Sequence, residues 1–417
     1  MNIPENVMKA IDMLHAAGFE AYTVGGCVRD SLMNIKPKDY DITTNALPEQ
    51  SLECFKNLRT IQNGIKHGTV GVLIDGECIE VTTFRIDGLY SDGRHPDSVT
   101  FSSQLKDDLS RRDFTVNAMA YDTQNGVIDC FGGIRDLKNK IIRCVGEPDK
   151  RFNEDALRIM RALRFSSVLG FEIEKTTARS IHKNALLLNA ISKERILAEL
   201  TKLLTGENAE NVVREYADVL SVISGDTELS KNDAFSKAAQ IIGNSNHRKD
   251  DAALAFCCFL CSDFSPDGAY TVLEKLKSSR ELRDNVKEVL SAGVTFDFVP
   301  DRIFARELLS EYGPSNAKRI LYLCAAADTE KKPDCRKVQK LIDAVINDGD
   351  CIYISDLDID GADISRNFGL QGREIGDMLK SLLDGVINNK VKNNREELTE
   401  YVKKLCENSK GENRENA

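Results

Sequence analysis

The sequence predicts an α+β protein, with a small head of mixed β-sheet and helices followed by an elongated, all-helical remainder. Two observations lead to this prediction. Strand patterns and a hairpin signal occur only before about residue 145. From about residue 150 helical periodicity takes over, and strand signals nearly vanish. The 417 residues exceed one ordinary domain and suggest two to four domains or subdomains.

The head begins with a predicted helix over residues 4–17, whose apolar side chains share one face. Asp75-Gly76 is a strong turn signal, so the runs on either side of it should pair as a hairpin. Residues 88–97 contain two glycines, a proline and several charges, and are expected to form a mobile loop. The other predicted head elements are a short helix over 27–33 and strands over 21–24, 40–43, 69–74, 78–84, 119–121 and 126–129.

The remainder of the chain is predicted to be a series of helices without a fixed-period repeat. The predicted helices span 153–168, 176–188, 192–204, 209–222, 252–261, 268–276, 301–309, 317–327, 335–347, 372–387 and 394–406. The last residues, 409–417, are expected to form a solvated, disordered end.

The composition limits the class of protein. The net charge of −10 argues weakly against a nucleic-acid partner, although a local basic surface decides such binding. The twelve cysteines are scattered, and Cys258-x-x-Cys261 lacks the second ligand pair of a zinc site. Free cysteines in this number indicate a reducing compartment, so we expect a cytoplasmic protein. There is no signal-peptide pattern and no apolar stretch of about 18 residues, which predicts no membrane span.

Three acidic residues of the head could form a metal site. Asp39 and Asp41 are two residues apart, so on a strand both side chains point to the same face. Glu80 lies in another predicted strand, which could bring its carboxylate close to this pair. Close carboxylates repel each other unless a cation lies between them, and hard oxygen ligands suit Mg²⁺. Taken alone, the short and common Asp-x-Asp pattern is more typical of a solvated strand end.

A glycine turn upstream favours the metal interpretation. Gly25-Gly26 ends a predicted strand and precedes a helix, where glycine allows the backbone to approach a phosphate. Arg29 lies one turn into that helix and could reach a triphosphate. The head therefore contains the parts of a site for a metal–nucleotide complex. The patterns GxxxxGK[ST] and GxGxxG are absent, so neither a P-loop nor a dinucleotide fold is predicted.

Four motifs occur in order between residues 24 and 165. They read VGGCVRDSLMNIKPKDYD at 24–41, RRDFTVNA at 111–118, FGGIRDL at 131–137 and EDALRIMRALRF at 154–165. Together they closely resemble the signature of the class II tRNA nucleotidyltransferase and bacterial poly(A) polymerase family. The helical remainder is similar in kind to the family's neck, body and tail, with less specific motifs such as NREEL at 394–398.

The resemblance implies a polymerase-β-like nucleotidyltransferase head that adds CCA to the 3′ end of tRNA from CTP and ATP. Asp39 and Asp41 would hold two Mg²⁺, and Glu80 would be a further catalytic carboxylate. The residues expected to bind the nucleotide are Gly25, Gly26, Arg29, Arg112, Asp113, Asn117, Asp155, Arg158, Arg161 and Arg164. Of these, Arg112 and Asp113 would grip the ribose and phosphates, with Asn117 in support.

The resemblance also implies a division into four parts. These are a catalytic head at 1–145, a neck for base selection at 146–205, an RNA-binding body at 206–345 and a tRNA-binding tail at 346–417. The tRNA would be contacted at its 3′ end, acceptor stem and elbow, and no protein partner is implied.

The fourth motif suggests how a base could be chosen without a template. Asp155 and Arg158 are three residues apart, so on a helix they are neighbours on one face. Their acceptors and donors could fit cytosine and adenine, whereas the O6 of guanine or the O4 of uracil would face Asp155. By the helical rotation, Arg161 lies about 120° from Asp155 and Arg164 nearly opposite it. Arg164 could therefore contact phosphates, the tRNA or a structural carboxylate. The motif is also compatible with an ordinary helix start and a salt bridge.

Other interpretations remain open at this stage. The protein could be an A-adding or CC-adding enzyme of a split system, or a poly(A) polymerase, although the acidic C-terminal end argues against the last. An inactive nucleotide- or RNA-binding module is the non-enzymatic alternative. The loop at 88–97 resembles the flexible loop of CCA-adding members, and Arg85, Arg94 and His95 could couple it to nucleotide choice. His67 is equally open to a functional or a structural role.

Overall fold

A computed structural model describes residues 1–88, 98–224 and 234–415 of the protein. They form two compact units. The first comprises Met1–Ala239 with Lys275–Lys277, and the second comprises Gln240–Glu274 with Ser278–Ala417. The predicted class, a mixed-sheet head with a mostly helical remainder, is confirmed. The division into four parts stays a prediction.

A seven-stranded sheet forms the centre of the head, and two small two-stranded sheets accompany it. The strands are β1 (Ala21–Val24), β2 (Asp41–Thr44), β3 (Arg59–Ile61), β4 (Thr69–Ile74), β5 (Glu77–Thr83), β6 (Arg85–Asp87), β7 (Val99–Phe101), β8 (Met119–Asp122), β9 (Gly126–Asp129), β10 (Ile141–Ile142) and β11 (Glu172–Ile173). The order in the large sheet is β3-β4-β5-β2-β1-β8-β9. In this sheet β2 and β5 pair in parallel, and the other five pairings are antiparallel.

The helices of the first unit cover the sheet and continue beyond it. They are α1 (Glu5–Ala16), α2 (Gly26–Leu32), α3 (Pro48–Cys54), α4 (Leu105–Ser110), α5 (Gly133–Lys138), α6 (Pro148–Glu154), α7 (Leu157–Leu169), α8 (Lys175–Asn184), α9 (Lys193–Leu204), α10 (Ala209–Glu215) and α11 (Ala217–Ser224). α1 buries Val7, Ile11 and Leu14 in one core cluster with Ile42 and Phe55. The 3.6-residue spacing of its apolar residues thus packs the helix on the sheet.

The second unit is built from helices. After α12 (Ala234–Asn244), which crosses the boundary of the units, they are α13 (Ala252–Leu260), α14 (Pro266–Lys275), α15 (Arg280–Ser291), α16 (Arg302–Ala327), α17 (Lys332–Asp348), α18 (Gly361–Phe368), α19 (Arg373–Ile387) and α20 (Arg395–Glu415). α16 is interrupted at Gly313, which has a φ of 67° and precedes Pro314. This explains why the sequence predicts two helices there. Within the described ranges, no helix has the length and apolar character needed to cross a membrane.

Several predicted bounds are confirmed, and others need correction. β1, β4 and β9 have the predicted limits, and Asp75 and Gly76 both have positive φ, as a tight hairpin turn requires. Asp39 lies outside β2, which begins at Asp41, so the prediction of two aspartates on one strand is wrong. The predicted helix over 209–222 is divided into two at Tyr216. α20 continues to Glu415, beyond the predicted helix end at residue 406, and the disorder of the C-terminal end stays a prediction.

Candidate active site

The turn after β1 brings the backbone close to an arginine. Gly25 has a φ of 83° and precedes α2, and its amide donates a hydrogen bond to the carbonyl of Met119 in β8. A Cβ at Gly25 would lie 2.9 Å from Nη1 of Arg112. The backbone conformation therefore favours glycine, and a Cβ here would displace the Arg112 side chain. Gly26 begins α2, in which Arg29 is largely buried.

The three carboxylates predicted for the metal site lie near each other. The parallel pairing of β2 with β5 places Asp41 directly beside Glu80, and Asp39 precedes β2 by two residues. Partial desolvation raises the pKa of Asp41, and Asp39 raises it further, whereas Arg112 lowers it. Desolvation, Asp41 and Asp39 likewise raise the pKa of Glu80. The three groups thus form a concentration of negative charge that a cation would stabilise.

These oxygen donors suit Mg²⁺, which needs few protein ligands, better than they suit a metal ion coordinated entirely by the protein. Among the described residues, no group of three or more His, Cys, Asp or Glu side chains is arranged to enclose a metal ion. Mg²⁺ commonly binds one or two carboxylates and completes its coordination with water and substrate phosphates. Asp39 and Asp41 satisfy that requirement, since both carry oxygen donors and both are exposed.

A buried aspartate missed by the sequence analysis positions two neighbouring arginines. Asp108 is fully buried at the end of α4 and accepts hydrogen bonds from Nε of Arg111 at 2.9 Å and Oγ1 of Thr43 at 3.1 Å. Nη2 of Arg112 lies 3.3 Å from the same carboxylate. Burial raises the pKa of Asp108, but the two arginines lower it overall. The spacing of Asp108, three and four residues before the arginines, was the available signal.

Arg112 retains unused hydrogen-bonding capacity. Its Nε is buried and has no hydrogen-bond partner among the described residues, and its Nη1 faces Gly25. Its charge also acts on Asp41. A guanidinium held by Asp108 between the glycine turn and the carboxylates is well placed to bind an anionic substrate group.

Asp113 and Asn117 connect Arg29 to Arg161. Asp113 accepts hydrogen bonds from Nδ2 of Asn117 at 3.0 Å, from Nε of Arg161 at 2.8 Å and from the amide of Phe114 at 2.8 Å. Asn117 in turn accepts one from Nη1 of Arg29 at 2.6 Å. Burial raises the pKa of Asp113, but Arg161 and these hydrogen bonds lower it to about 2. Both carboxylate oxygens of Asp113 are thus used within the protein, and its contact with the ribose stays a prediction.

The predicted pair of Asp155 and Arg158 is wrong in its geometry. Asp155 lies in extended conformation between α6 and α7, where the sequence predicts one uninterrupted helix. Its Oδ1 accepts a hydrogen bond from the amide of Leu157, and its Oδ2 lies 2.9 Å from Nη2 of Arg195. Arg158 instead forms an ion pair with Glu154 at 2.7 Å. The periodicity of the motif hides this break, because the residues on either side of it are good helix formers.

Arg161 and Arg164 both belong to internal ion pairs. Arg161 pairs with Asp113, and Nε of Arg164 lies 2.5 Å from Oε2 of Glu199, without hydrogen-bond geometry. The guanidinium of Arg164 lies 3.9 Å from the ring centre of Phe165. Of the partners that the sequence left open for Arg164, the structure thus shows a structural carboxylate.

The residues expected to couple a loop to nucleotide choice are only partly described. Arg85 donates hydrogen bonds to Asp87 and to the carbonyl of His67. Arg94 and His95 belong to the range 89–97, which lies outside the described residues.

Comparisons with known proteins identify the family of the chain. A family model described as the poly A polymerase head domain matches residues 21–143, one described as "Probable RNA and SrmB- binding site of polymerase A" matches 170–219, and tRNA nucleotidyltransferase domain 2 matches 245–402. A CCA-adding enzyme of Ligilactobacillus salivarius is 35% identical over 97% of this chain and 98% of its own length. The chain belongs to the CCA-adding enzyme family. The family resemblance predicted from the four motifs is thereby confirmed.

Solved structures of CCA-adding enzymes share the fold. The Bacillus stearothermophilus enzyme in complex with CTP is 29% identical and superposes with a TM-score of 0.80, covering 99% of this chain and 100% of that one. The Thermotoga maritima enzyme complexed with tRNA_CCA is 22% identical, has a TM-score of 0.69 and covers 97% and 96%. The second likeness concerns the fold alone.

Proposed function

We propose that this protein completes the 3′ end of tRNA, adding CCA from CTP and ATP without a nucleic-acid template and releasing pyrophosphate. The observation that carries the proposal is the placement of Asp41 beside Glu80, within the electrostatic influence of Arg112, in a chain of the CCA-adding family. Arg112 in turn faces Gly25. A metal–triphosphate complex needs carboxylates to bind the metal, and a guanidinium and a closely approaching backbone to bind the phosphates.

Mg²⁺ is the proposed cofactor, with Asp39 and Asp41 as the residues that would hold two ions. When bound, these ions would activate the RNA 3′-hydroxyl and neutralise the charge of the departing pyrophosphate. The raised pKa values of Asp41 and Glu80 support this assignment, because desolvation and the neighbouring carboxylates both disfavour a negative charge that a cation would stabilise. Glu80 is proposed as the third catalytic carboxylate.

The protein's own groups would then position the nucleotide. Arg112 would bind the triphosphate with the donors that Asp108 leaves free, and Gly25 would allow the phosphates to approach the backbone. Arg29 is proposed to contact the triphosphate while its guanidinium is held by the hydrogen bond to Asn117. Correct placement of the reacting groups supplies most of the rate enhancement in phosphoryl transfer, so no protein base is needed.

Base selection is proposed for Asp155 and Arg158. The exocyclic amino groups of cytosine and adenine would donate to Asp155, which the O6 of guanine and the O4 of uracil cannot do. Oδ2 of Asp155 is close to Arg195, so it must share or release that partner to accept from a base. Arg161 and Arg164 would support the nucleotide site indirectly, because their ion pairs with Asp113 and Glu199 hold neighbouring parts of the site in place.

The remaining assignments extend to the whole chain. We propose catalysis in the head at 1–145, base selection at 146–205, RNA binding at 206–345, and tRNA binding at 346–417. The twelve free cysteines support a reducing, cytoplasmic location. The tRNA would be bound at its 3′ end, acceptor stem and elbow.

Nucleotide addition to three tRNA transcripts tests the proposal. The transcripts end at the discriminator base, after the first C, and after CC, and each is incubated with CTP or ATP and Mg²⁺. We expect C on the first two and a single A on the third. Addition of A alone would instead identify an A-adding enzyme, and addition of C alone a CC-adding enzyme. Runs of A would identify a poly(A) polymerase, and no addition would indicate an inactive module.

A further inference from the structure

A small basic cavity lies within the second unit, on residues that the candidate active site does not use. Its volume is about 90 Å³. The wall is formed by the segment before α13, the C-terminal part of α16 and the first turns of α17. The side chains that give it its character are Ser245, His247, Tyr322, Lys332 and Arg336.

The charge of the cavity is positive, in contrast to the acidic chain. Lys332 and Arg336 are four residues apart on α17, so they lie one turn apart on the same face. Neither forms an ion pair within the described part of the chain, whereas Arg302, Arg306 and Arg319 of the same unit all do. The described wall contains no carboxylate. The two cations therefore remain available to an anion from outside.

An aromatic pair borders the same cavity. The rings of His247 and Tyr322 stack with centres 3.8 Å apart and an interplanar angle of 16°. Tyr322 covers one face of the imidazole of His247, and His247 nevertheless remains exposed. An aromatic face beside cationic groups is the arrangement on which an unpaired base of a nucleic acid stacks.

The size of the cavity selects the group that can enter it. Pockets that enclose a drug-sized ligand measure about 300–1,000 Å³, so a cavity of about 90 Å³ suits a smaller group such as a phosphate. Two cations around a small space favour a phosphate group of a phosphodiester over a larger ligand.

We propose that this cavity binds one backbone phosphate of the RNA substrate, with an adjacent unpaired base stacked on His247. Lys332 and Arg336 would contact the phosphate oxygens. The inference rests on the proposed function only in that the ligand is an RNA. It adds a specific binding site in the second unit to the general assignment of RNA binding there.

The test compares neighbouring residues of α17. Arg336→Ala removes a cation of the cavity, and Lys337→Ala removes the same charge one residue later, from an exposed side chain outside the wall. We expect Arg336→Ala to raise the Kd for a tRNA lacking its 3′ end on the order of tenfold. The slope of log K against log salt should become shallower by about 0.7–0.9, as for one lost phosphate contact. Lys337→Ala should change neither quantity.

Substitutions of His247 separate stacking from charge. His247→Ala should weaken tRNA binding without changing the salt slope, and His247→Phe should retain the affinity, because an aromatic face is restored. Equal weakening by Arg336→Ala and Lys337→Ala would overturn the proposal, since it would reveal only a general charge effect. The proposal would also be overturned if Arg336→Ala abolished the binding of inorganic phosphate but left the affinity for tRNA unchanged. That result would indicate a site for free anions.

The outcome remains separate from that of the proposed function. Nucleotide addition at saturating tRNA should proceed with the same kcat in Arg336→Ala as in the unchanged protein, and with a higher KM. If the unchanged protein adds no nucleotide, the proposed function fails, but the tRNA affinities of the variants still decide this inference. Thermal melting of each variant checks that the fold is intact.

Discussion

At the scale of single residues, the candidate site is organised by buried or partly buried carboxylates that each hold an arginine. Asp108 holds Arg112, and Asp113 holds Arg161. Each pairing keeps a guanidinium in place before any substrate arrives, which reduces the ordering that binding requires. Asp39 and Asp41 differ from these carboxylates because both are exposed.

Replacement of either exposed aspartate should abolish nucleotide transfer. Asp39→Asn and Asp41→Asn are each expected to lower kcat/KM on the order of a thousandfold, since metal ions supply several kcal/mol of transition-state stabilisation. The fold should persist, as judged by thermal melting. Asp12→Asn, at an exposed position of α1, is the matched control and should retain full activity. Full activity in both active-site variants would refute the metal assignment.

The glycine turn can be tested by pairing two substitutions. Gly25 and Gly76 both have positive φ, but only Gly25 would place a Cβ against Arg112. Gly25→Ala and Gly76→Ala should each destabilise the protein by about 1–2 kcal/mol through backbone strain. Only Gly25→Ala should also reduce the rate of nucleotide addition. Denaturant unfolding and the addition assay measure the two effects, and equal activity in both variants would contradict the predicted role.

Asp113 should make a stability contribution that depends on pH. Its pKa is lowered from 3.8 to about 2, so its ionised form stabilises the fold at every pH above about 4. The contribution is lost as the pH falls towards 2. Asp113→Asn should therefore cost on the order of 2 kcal/mol at pH 7. Urea unfolding at several pH values should show the difference narrowing below pH 4; a difference independent of pH would rule out this explanation.

At the scale of elements, the break between α6 and α7 determines where Asp155 points. An uninterrupted helix would put Asp155 beside Arg158, but the extended conformation at Asp155 turns it towards Arg195 in α9. Glu154, on the last turn of α6, takes Arg158 instead. Asp155, the residue proposed to read the base, is thus presented by an irregular segment between two helices.

Removal of Asp155 should relax the choice of base. Asp155→Ala is expected to lower the preference for CTP and ATP over UTP and GTP at least about tenfold, with a smaller effect on triphosphate binding. Asp155→Asn retains an acceptor for the amide of Leu157, which separates helix support from base reading. Asp149→Ala, a carboxylate on α6 that pairs with Lys183, is the control. Unchanged selectivity in Asp155→Ala would remove this residue from base selection.

At the scale of the whole molecule, a chain with a net negative charge can bind a nucleic acid because its basic side chains are concentrated locally. The net charge is −10, yet the described wall of the cavity in the second unit contains Lys332 and Arg336 and no carboxylate. Much of the remaining acidic charge is taken up by internal ion pairs, such as those of Asp350 with Arg302 and Arg306. Net charge is therefore a poor guide to the partner of this chain.

Removal of metal should affect activity without unfolding the protein. Within the described residues no protein cage for a metal exists, and the head has an apolar core of its own. Chelation with EDTA should therefore abolish nucleotide addition while the melting temperature stays nearly constant, and added Mg²⁺ should restore the activity. A large fall in the melting temperature would instead reveal a structural metal, and persistent activity would exclude the proposed cofactor.

The sequence was sufficient for those features that depend on neighbours along the chain. The Asp75-Gly76 hairpin, the strand before Gly25 and the helix with Val7, Ile11 and Leu14 follow from local turn preference and periodicity. The four motifs identified the family for the same reason, because each is a contiguous run. Short elements such as α3 and β3 were missed, since a few residues without strong periodicity give little local signal.

Only the tertiary structure decided how residues distant along the chain are paired. The parallel register of β2 and β5 places Glu80 beside Asp41, and no local pattern specifies that register. The partners of Asp155 and Arg164 come from α9, about 35 to 40 residues further along the chain. Local conformational preference depends on near neighbours in the sequence. Burial and charge pairing depend on residues that are close in the folded structure, however distant they are along the chain. The sequence by itself thus determined the chemistry of this protein, and the folded structure determined which side chains can carry it out together.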